Sequence, residues 1–150
     1  FVFVGEGARK EELKRRAAGQ ANVTFLDRQP RETIAEMLAE LDAAMVLLRD
    51  TPLFRTVIPS KMFEIMGAGV PMVLGVEGQA RAILDAADAG IAIPPGNAGA
   101  LADALRRLAA DAALRARYAR NASRHVRENY DLDSLSQNYL DVLQSLCARP

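Results

Sequence analysis

Short apolar runs alternate with longer amphipathic stretches along this chain. Runs rich in β-branched and aromatic residues predict strands, and the stretches between them carry apolar residues at helical spacing. The predicted strands cover residues 1–4, 22–26, 44–48, 71–75 and 90–93. Because strands and helices alternate, we predict an α/β fold: a single Rossmann-like, doubly wound parallel sheet with helices on both faces.

The last third of the chain has helical spacing alone. From about residue 99 to residue 147 no strand pattern occurs, and Asp111 and Asp131 stand where helix caps are expected. The final helix carries an apolar stripe of Leu132, Leu135, Tyr139, Leu143 and Leu146. Such a stripe must cover either this domain or something absent from it. We interpret residues 1–150 as one domain that ends in these helices.

The composition limits the chemistry that this chain can perform. Half of its 150 residues are hydrophobic, and 19 basic residues balance 19 acidic ones. No overall charge draws it to nucleic acid or to an anionic membrane, so any anion site must be local. A single cysteine, Cys147, and a single histidine, His125, exclude a disulfide framework and a His-rich or Cys-rich metal centre. A reducing, cytoplasmic setting is therefore expected. The chain begins at Phe1 within a predicted strand, and we interpret it as a fragment.

Ligands of open parallel sheets bind beyond the carboxyl ends of the strands, where the first predicted turn carries two glycines. Gly5 and Gly7 match two of the three glycines of a dinucleotide-binding fingerprint, but Lys10 stands where the third belongs. The alternative is a tight turn that needs only backbone freedom. No P-loop pattern is present.

The segment 58–71 is the most informative in the chain, because its polar and apolar residues separate when it is wound as a helix. Its apolar side carries Met62, Phe63, Ile65 and Met66. Ser60, Glu64 and Gly67 lie on the opposite side, where the glycine leaves room for a ligand. Glu64 is thus predicted to face away from the core.

Pro59 ends the loop and Ser60 is predicted to cap this helix, which places its amino end at the carboxyl edge of the sheet. Free backbone N–H groups and the helix dipole favour a phosphate there, and the carboxylate of Glu64 suits the two hydroxyls of a ribose. The alternative is that Ser60 is merely a cap and that Glu64 pairs with Lys61.

Other charged residues are candidates for the same chemistry. Arg49 and Arg55 could neutralise a pyrophosphate, or they are solvated charges of a long connection. Asp131 and Asp133 match a short acidic pattern for a metal-bound nucleotide, but a helix cap is the better interpretation. His125 is expected to serve packing. No nucleophile with a paired base occurs in the sequence.

Four segments, taken in order, carry a resemblance to a known family. They are Phe3-Val-Gly-Glu-Gly7, Asn22-Val-Thr-Phe-Leu26, Leu41-Asp42 before an apolar strand, and Pro59-Ser-Lys-Met-Phe-Glu64-Ile-Met-Gly-Ala-Gly-Val-Pro71. Together they resemble the carboxyl-terminal half of bacterial GT-B glycosyltransferases. The similarity is strongest to retaining family-4 enzymes that assemble capsular, O-antigen or colanic acid polysaccharides, and it spans nearly the whole chain.

The resemblance implies that this half binds the nucleotide of a sugar donor, usually a UDP-sugar, and that no metal or other cofactor is needed. Glu64 would hold the ribose hydroxyls, and the backbone around Ser60 and Lys61 would meet the pyrophosphate. Gly5 and Gly7 would let the phosphates come close. The residues from Asp27 and Arg28 to Pro30 would border the base.

Two departures from the family follow from the same comparison. Many relatives carry a second glutamate, directed at the donor sugar, where this chain has Thr56 with Arg55 before it. The Arg/Lys pair that stabilises the leaving diphosphate would lie upstream of Phe1, as would the amino-terminal acceptor domain. The fragment alone is expected to bind and not to catalyse. Any peripheral contact with a membrane would be made by the missing half.

Two alternatives remain open at the level of the sequence. One is half of a GT-B-like UDP-sugar 2-epimerase, which shares the sheet and the nucleotide cleft. The other is a non-catalytic α/β interaction module such as a receiver-like domain. The acidic pair that a receiver needs after its first strand is replaced here by Gly5-Glu6-Gly7.

Overall fold

The computed structural model describes residues 1–147, and its elements follow the predicted alternation of strands and helices. The first part contains β1 (Val2–Val4), α1 (Lys10–Arg16), β2 (Thr24–Leu26) and α2 (Arg31–Ala39). The next part contains β3 (Ala44–Leu47), a 3-10 helix η1 (Leu53–Thr56), α3 (Lys61–Gly67), β4 (Met72–Gly75), α4 (Gln79–Ala87) and β5 (Gly90–Ala92). Three helices close the described chain: α5 (Ala98–Ala110), α6 (Ala112–Asn129) and α7 (Leu132–Cys147).

All five strands pair in parallel, which confirms the predicted α/β class. Their hydrogen bonds form two sheets, β1-β2 and β3-β4-β5, where the pattern alone had suggested one continuous sheet. The chain also divides into two compact units, unit 1 from Phe1 to Met37 and unit 2 from Leu38 onward. Each sheet belongs to one of these units.

Unit 1 is a small βαβ unit held by strand pairing and charge. Phe3 lies opposite Phe25 in the register of β1 and β2, and their rings stack with centroids 5.2 Å apart. Helix α1 has acidic residues in its first turn and basic residues in its last turn, the arrangement that the helix dipole favours. No residue of unit 1 is fully buried within the unit as the structure describes it.

Unit 2 has a dense apolar core on both faces of its sheet. Every residue of β4 is buried, and its side chains alternate between the two faces. Met72 and Leu74 join one cluster of buried side chains, with residues of α3 and α4, whereas Val73 joins a second cluster, with residues of α5 and α6. Helices therefore cover both faces of the β3-β4-β5 sheet, as expected for a doubly wound fold.

Helices α6 and α7 begin at the predicted caps. The Asp111 carboxylate accepts a hydrogen bond from the Leu114 N–H at 2.8 Å, and the Asp131 carboxylate accepts one from the Ser134 N–H at 3.0 Å. The bond from the Ser134 backbone lowers the pKa of Asp131 below its usual range. These contacts confirm that Asp131 caps α7.

Helix α7 carries the predicted apolar stripe, and none of its residues is buried. Leu132, Tyr139 and Leu146 are 76%, 66% and 57% exposed. Within the described chain this face is thus largely uncovered, and its packing against an absent half stays a prediction. Among residues 1–147 no helix is both long enough and apolar enough to span a membrane.

Candidate functional site

The connection from β3 to α3 was predicted as an irregular loop, but it contains the helical turn η1. The Phe54 N–H reaches the carbonyl of Thr51 at 3.1 Å and its hydroxyl at 3.3 Å, which starts the turn. At its end the Thr56 hydroxyl donates to the Leu53 carbonyl at 2.9 Å. Thr56, predicted to stand where many relatives have a second glutamate, thus makes a local hydrogen bond in η1.

The two arginines of this connection differ in their surroundings. The Arg55 guanidinium donates twice to one Asp50 carboxylate oxygen, from Nε at 3.1 Å and from an Nη at 2.9 Å, while both side chains stay largely exposed. Arg49 is exposed, and no ion pair of it is recorded in the described chain. The idea that Arg55 neutralises a phosphate therefore requires it to leave Asp50 or to bind while paired.

Helix α3 separates polar and apolar side chains as predicted. Met62, Ile65 and Met66 are buried in the core of unit 2. Phe63 is half-buried, and its ring lies 4.6 Å from that of Tyr130, centroid to centroid. Because these side chains are buried, the opposite face of α3 must point away from the core.

The opposite face of α3 is open to solvent. Lys61, Glu64 and Gly67 are exposed, and a Cβ added to Gly67 would meet nothing within 4 Å. No ion pair joins Glu64 to Lys61, and across residues 1–147 no side-chain partner of Glu64 is recorded. The structure therefore does not show the alternative, an ion pair between Lys61 and Glu64. The carboxylate is available to a ligand.

The amino end of α3 differs from the capping alternative. Ser60 has helical dihedral angles, φ −55° and ψ −33°, and its side chain makes no capping hydrogen bond, so the prediction of a serine cap is wrong. Hydrogen bonding begins with the Met62 N–H to the Pro59 carbonyl and the Phe63 N–H to the Ser60 carbonyl. The N–H groups of Ser60 and Lys61 come before these bonds, and the described residues provide no recorded acceptor for them.

The glycine turn of unit 1 lies at the carboxyl end of β1. Gly5 has a φ of +123°, a conformation that side-chain-bearing residues rarely adopt, and its N–H donates to the Leu26 carbonyl at 3.1 Å. A Cβ at Gly5 or Gly7 would meet nothing within 4 Å. Glycine is therefore needed at position 5 because of its backbone conformation, as the tight-turn alternative states. The turn leaves space on its outer side.

Lys10 joins the ends of the two strands of unit 1. Its ammonium lies 2.7 Å from a Glu6 carboxylate oxygen and 2.6 Å from an Asp27 carboxylate oxygen, and its side chain is only 10% exposed. The hydrogen bond to Asp27, followed by the one to Glu6, raises the pKa of Lys10, and the same bond lowers the pKa of Asp27. Asp27, predicted to border a base, is thus held by Lys10, whereas Arg28 beside it is exposed.

Sequence reasoning missed the role of Lys10. The spacing of Glu6 and Lys10, four residues apart, was a usable signal for an ion pair. The contact with Asp27 was not visible, because it depends on the register of β1 and β2, which sets Val4 opposite Leu26.

His125 and the acidic side chains are the remaining candidates for metal binding or acid–base chemistry. His125 is half-buried beside the Tyr130 ring, at 5.8 Å between centroids, which agrees with the expected packing role. In the part of the chain that the structure describes, no three His, Cys, Asp or Glu side chains come together as a metal-binding set.

Comparison with known proteins identifies the family. The sequence matches the family of glycosyl transferases group 1 over residues 1–111. The chain belongs to this family. The match covers β1 to β5 and the whole of α5, so it includes both the glycine turn and α3. No curated protein matches the chain.

Solved structures agree with this assignment. The chain is similar to WaaG, a glycosyltransferase involved in lipopolysaccharide biosynthesis, with 26% identity, a TM-score of 0.69, and coverage of 94% of this chain and 37% of that one. It is also similar to sucrose-phosphate synthase from Thermosynechococcus elongatus, with 20% identity, a TM-score of 0.78, and coverage of 99% and 39%. A third similar structure is HepE from Anabaena in complex with UDP-glucose, with 21% identity, a TM-score of 0.78, and coverage of 96% and 40%.

The chain spans about two fifths of the length of these glycosyltransferases. The expected fold, one half of a GT-B glycosyltransferase, is thus confirmed. The family match favours the transferase over both alternatives, the 2-epimerase half and the interaction module.

Proposed function

We propose that this chain is the donor-binding half of a glycosyltransferase and that it binds a nucleoside diphosphate sugar, probed most simply with UDP. Residues 1–150 would form this half, and an amino-terminal half would supply the acceptor site and the positive side chains for the leaving diphosphate. Family membership supports the reaction class. HepE, a structure of similar fold, is known in complex with UDP-glucose, which supports the choice of UDP as a probe.

The observation that carries the proposal is the exposed, unpaired carboxylate of Glu64 on a helix whose other face is buried. Met62, Ile65 and Met66 hold α3 in the core, so the direction of Glu64 is set before any ligand arrives. An ionised carboxylate can accept hydrogen bonds from two neighbouring hydroxyls, as on a ribose. Gly67, one turn away, leaves the space that a sugar ring needs.

The remaining contacts of the proposed site are assigned from the family resemblance, position by position. Ser60 and Lys61 would offer their free backbone N–H groups to the diphosphate, and Lys61 would add a charge. Thr56 would lie near the donor sugar, and Arg55 would neutralise the pyrophosphate. For unit 1 taken by itself, the family resemblance implies that Gly5 and Gly7 let a phosphate come close and that Asp27 and Arg28 border a base.

The finer features of the proposal come from family resemblance. A retaining transfer, an acceptor that is a glycan or a lipid-linked sugar, and a role in polysaccharide synthesis all belong to it. So does operation without a metal, since positive side chains and helix dipoles would stabilise the leaving diphosphate. A cytoplasmic setting rests on the single cysteine alone.

Calorimetry with UDP tests the proposal. We expect wild-type protein to bind UDP and Glu64→Ala to weaken binding by about 1–3 kcal/mol, the range for removing a charged hydrogen-bond partner, which is roughly fivefold to 150-fold in Kd. Glu64 is exposed and unpaired, so the free energy of unfolding should change by no more than about 0.5 kcal/mol.

Glu128→Ala is the matched control for this measurement. Glu128 is also an exposed helical glutamate with no ion pair recorded among the described residues, but it lies on α6. Equal UDP affinity in wild type and Glu64→Ala would remove Glu64 from the site. Equal weakening in both variants would mean that the effect is general charge and not a contact.

A further inference from the structure

The turn between β4 and α4 meets the β3–α3 connection at a single glycine. Gly78 has a φ of +81° and precedes the first residue of α4. A Cβ at this position would lie 1.9 Å from the carbonyl oxygen of Arg55 and 2.9 Å from its carbonyl carbon. The backbone of η1 therefore occupies the space of a side chain at position 78.

Neither partner of this contact can yield by turning a side chain. Both Arg55 atoms belong to the backbone, and side-chain Cβ atoms essentially never come within 3.0 Å of other heavy atoms. Any residue other than glycine must therefore move η1 or the start of α4. Ala80 and Leu84 anchor α4 in the core, so η1 is the part that can move.

Helix η1 would move as a unit, because hydrogen bonds tie its residues together. The Phe54 N–H bonds to Thr51, and the Thr56 hydroxyl bonds to Leu53. Pro59 follows only three residues after Thr56 and accepts the first helical hydrogen bond of α3, from Met62. A displacement of η1 is thus passed to the amino end of α3.

Two other glycines also have a positive φ but lack the contact of Gly78. Gly96 has a φ of +74°, and a Cβ there would meet nothing within 4 Å. Gly69 has a φ of +70°, and its nearest neighbour would be the Ala119 carbonyl oxygen at an ordinary 3.5 Å. Variants at these glycines therefore show the effect of an alanine at a positive φ without the close approach to Arg55.

We infer that Gly78 is a positioning residue of the donor site: its missing side chain is what lets η1 sit against α4 and hold Arg55, Thr56 and the start of α3 in place. This inference rests on the proposed function, because the ligand that η1 serves is the proposed UDP-sugar.

The test compares Gly78→Ala with Gly96→Ala by calorimetry with UDP and by amide hydrogen exchange. Both variants place an alanine at a positive φ, and only Gly78→Ala adds the close approach to Arg55. We expect Gly78→Ala to raise the Kd for UDP on the order of tenfold to a hundredfold, as misplacing a binding group by about 1 Å does. The amides of Phe54 and Met62 should exchange faster in that variant alone, whereas Gly96→Ala should bind UDP within about twofold of wild type.

The outcomes separate this inference from the proposed function. If wild-type protein binds no UDP, the proposed function fails, and the exchange data alone decide whether Gly78 positions η1. If Gly78→Ala leaves both the UDP affinity and the exchange in η1 at wild-type values, the inference is overturned.

A second variant covers the case in which Gly78→Ala does not fold. Thr51→Val keeps Gly78 and removes the hydroxyl that accepts from the Phe54 N–H. Faster exchange at Phe54 together with weaker UDP binding would support the role of a fixed η1. Faster exchange with wild-type UDP affinity would contradict it.

Discussion

Units 1 and 2 of this chain use the same βα pattern but are stabilised by different forces. In unit 2 the sheet is covered on both faces, and its buried side chains include all four residues of β4. In unit 1 the strands pair and stack, yet no side chain is fully buried, and the polar contacts centre on Lys10. Burial of apolar area is the main source of stability. In unit 2, buried apolar side chains fix the helix that carries Glu64. In unit 1, the contacts between the strand ends depend on charged side chains.

The largest expected effect is in the core of unit 2. Leu84 on α4 is 1% exposed, whereas Leu13 on α1 is 41% exposed. Leu84→Ala should lower the free energy of unfolding by about 2–5 kcal/mol, the range for a buried leucine that leaves a cavity. Leu13→Ala should cost about 1 kcal/mol or less, since less apolar area is lost from the interior. Urea unfolding of both variants measures the contrast, and equal losses would show that unit 1 has a comparable core.

A smaller, pH-dependent effect is expected in unit 1. Lys10→Met removes the ammonium between Glu6 and Asp27, so the amide of Gly5, bonded to the Leu26 carbonyl, should exchange faster at neutral pH. Lys14→Met is the control, because within residues 1–147 the ion pair of Lys14 is with Glu11 on the same helix, at 2.9 Å, and Lys14 acts on Asp27 only as a nearby charge.

The sign of the pH dependence follows from the shifted pKa values. The pKa of Asp27 is lowered by Lys10, so its contribution is present above the ordinary pKa of an aspartate, about 3.9, and is lost as the pH falls through the lowered value. The pKa of Lys10 is raised, so its contribution is lost only as the pH rises through a value above about 10.4. The difference in protection between wild type and Lys10→Met should therefore shrink toward low pH. A constant difference would mean that the ion pairs are not its cause.

The smallest expected effect is in α7. Leu146 is 57% exposed, so Leu146→Ala should change the free energy of unfolding of this chain by no more than about 0.5 kcal/mol. A loss close to that of Leu84→Ala would show that α7 packs into unit 2. The predicted packing of the stripe would be supported if Leu146→Ala left the stability of this chain unchanged but lowered the stability when the amino-terminal half was present.

Much of this arrangement could be predicted from the sequence. The apolar runs of β3 and β4 predicted two of the strands, and the spacing of Met62, Ile65 and Met66 predicted the buried face of α3. Both signals depend on burial, which leaves a periodic trace in a sequence. The caps Asp111 and Asp131 were visible because capping is local and uses few residue types.

Two of the three features that were missed depend on relations between distant segments, and the third is the local conformation of Ser60. Lys10 meets Asp27 only because β1 and β2 pair in one register, and Gly78 meets Arg55 only because η1 folds back on α4. Ser60 was expected to cap α3, but it adopts helical dihedral angles itself and its side chain caps nothing. Residue type and spacing carried no trace of these three arrangements.

A crystal structure of this chain with UDP tests the central claim most directly. The account predicts the ribose hydroxyls within hydrogen-bond distance of the Glu64 carboxylate, about 2.5–3.0 Å, and the diphosphate beside the N–H groups of Ser60 and Lys61. UDP bound elsewhere on the chain, with Glu64 facing only solvent, would contradict it.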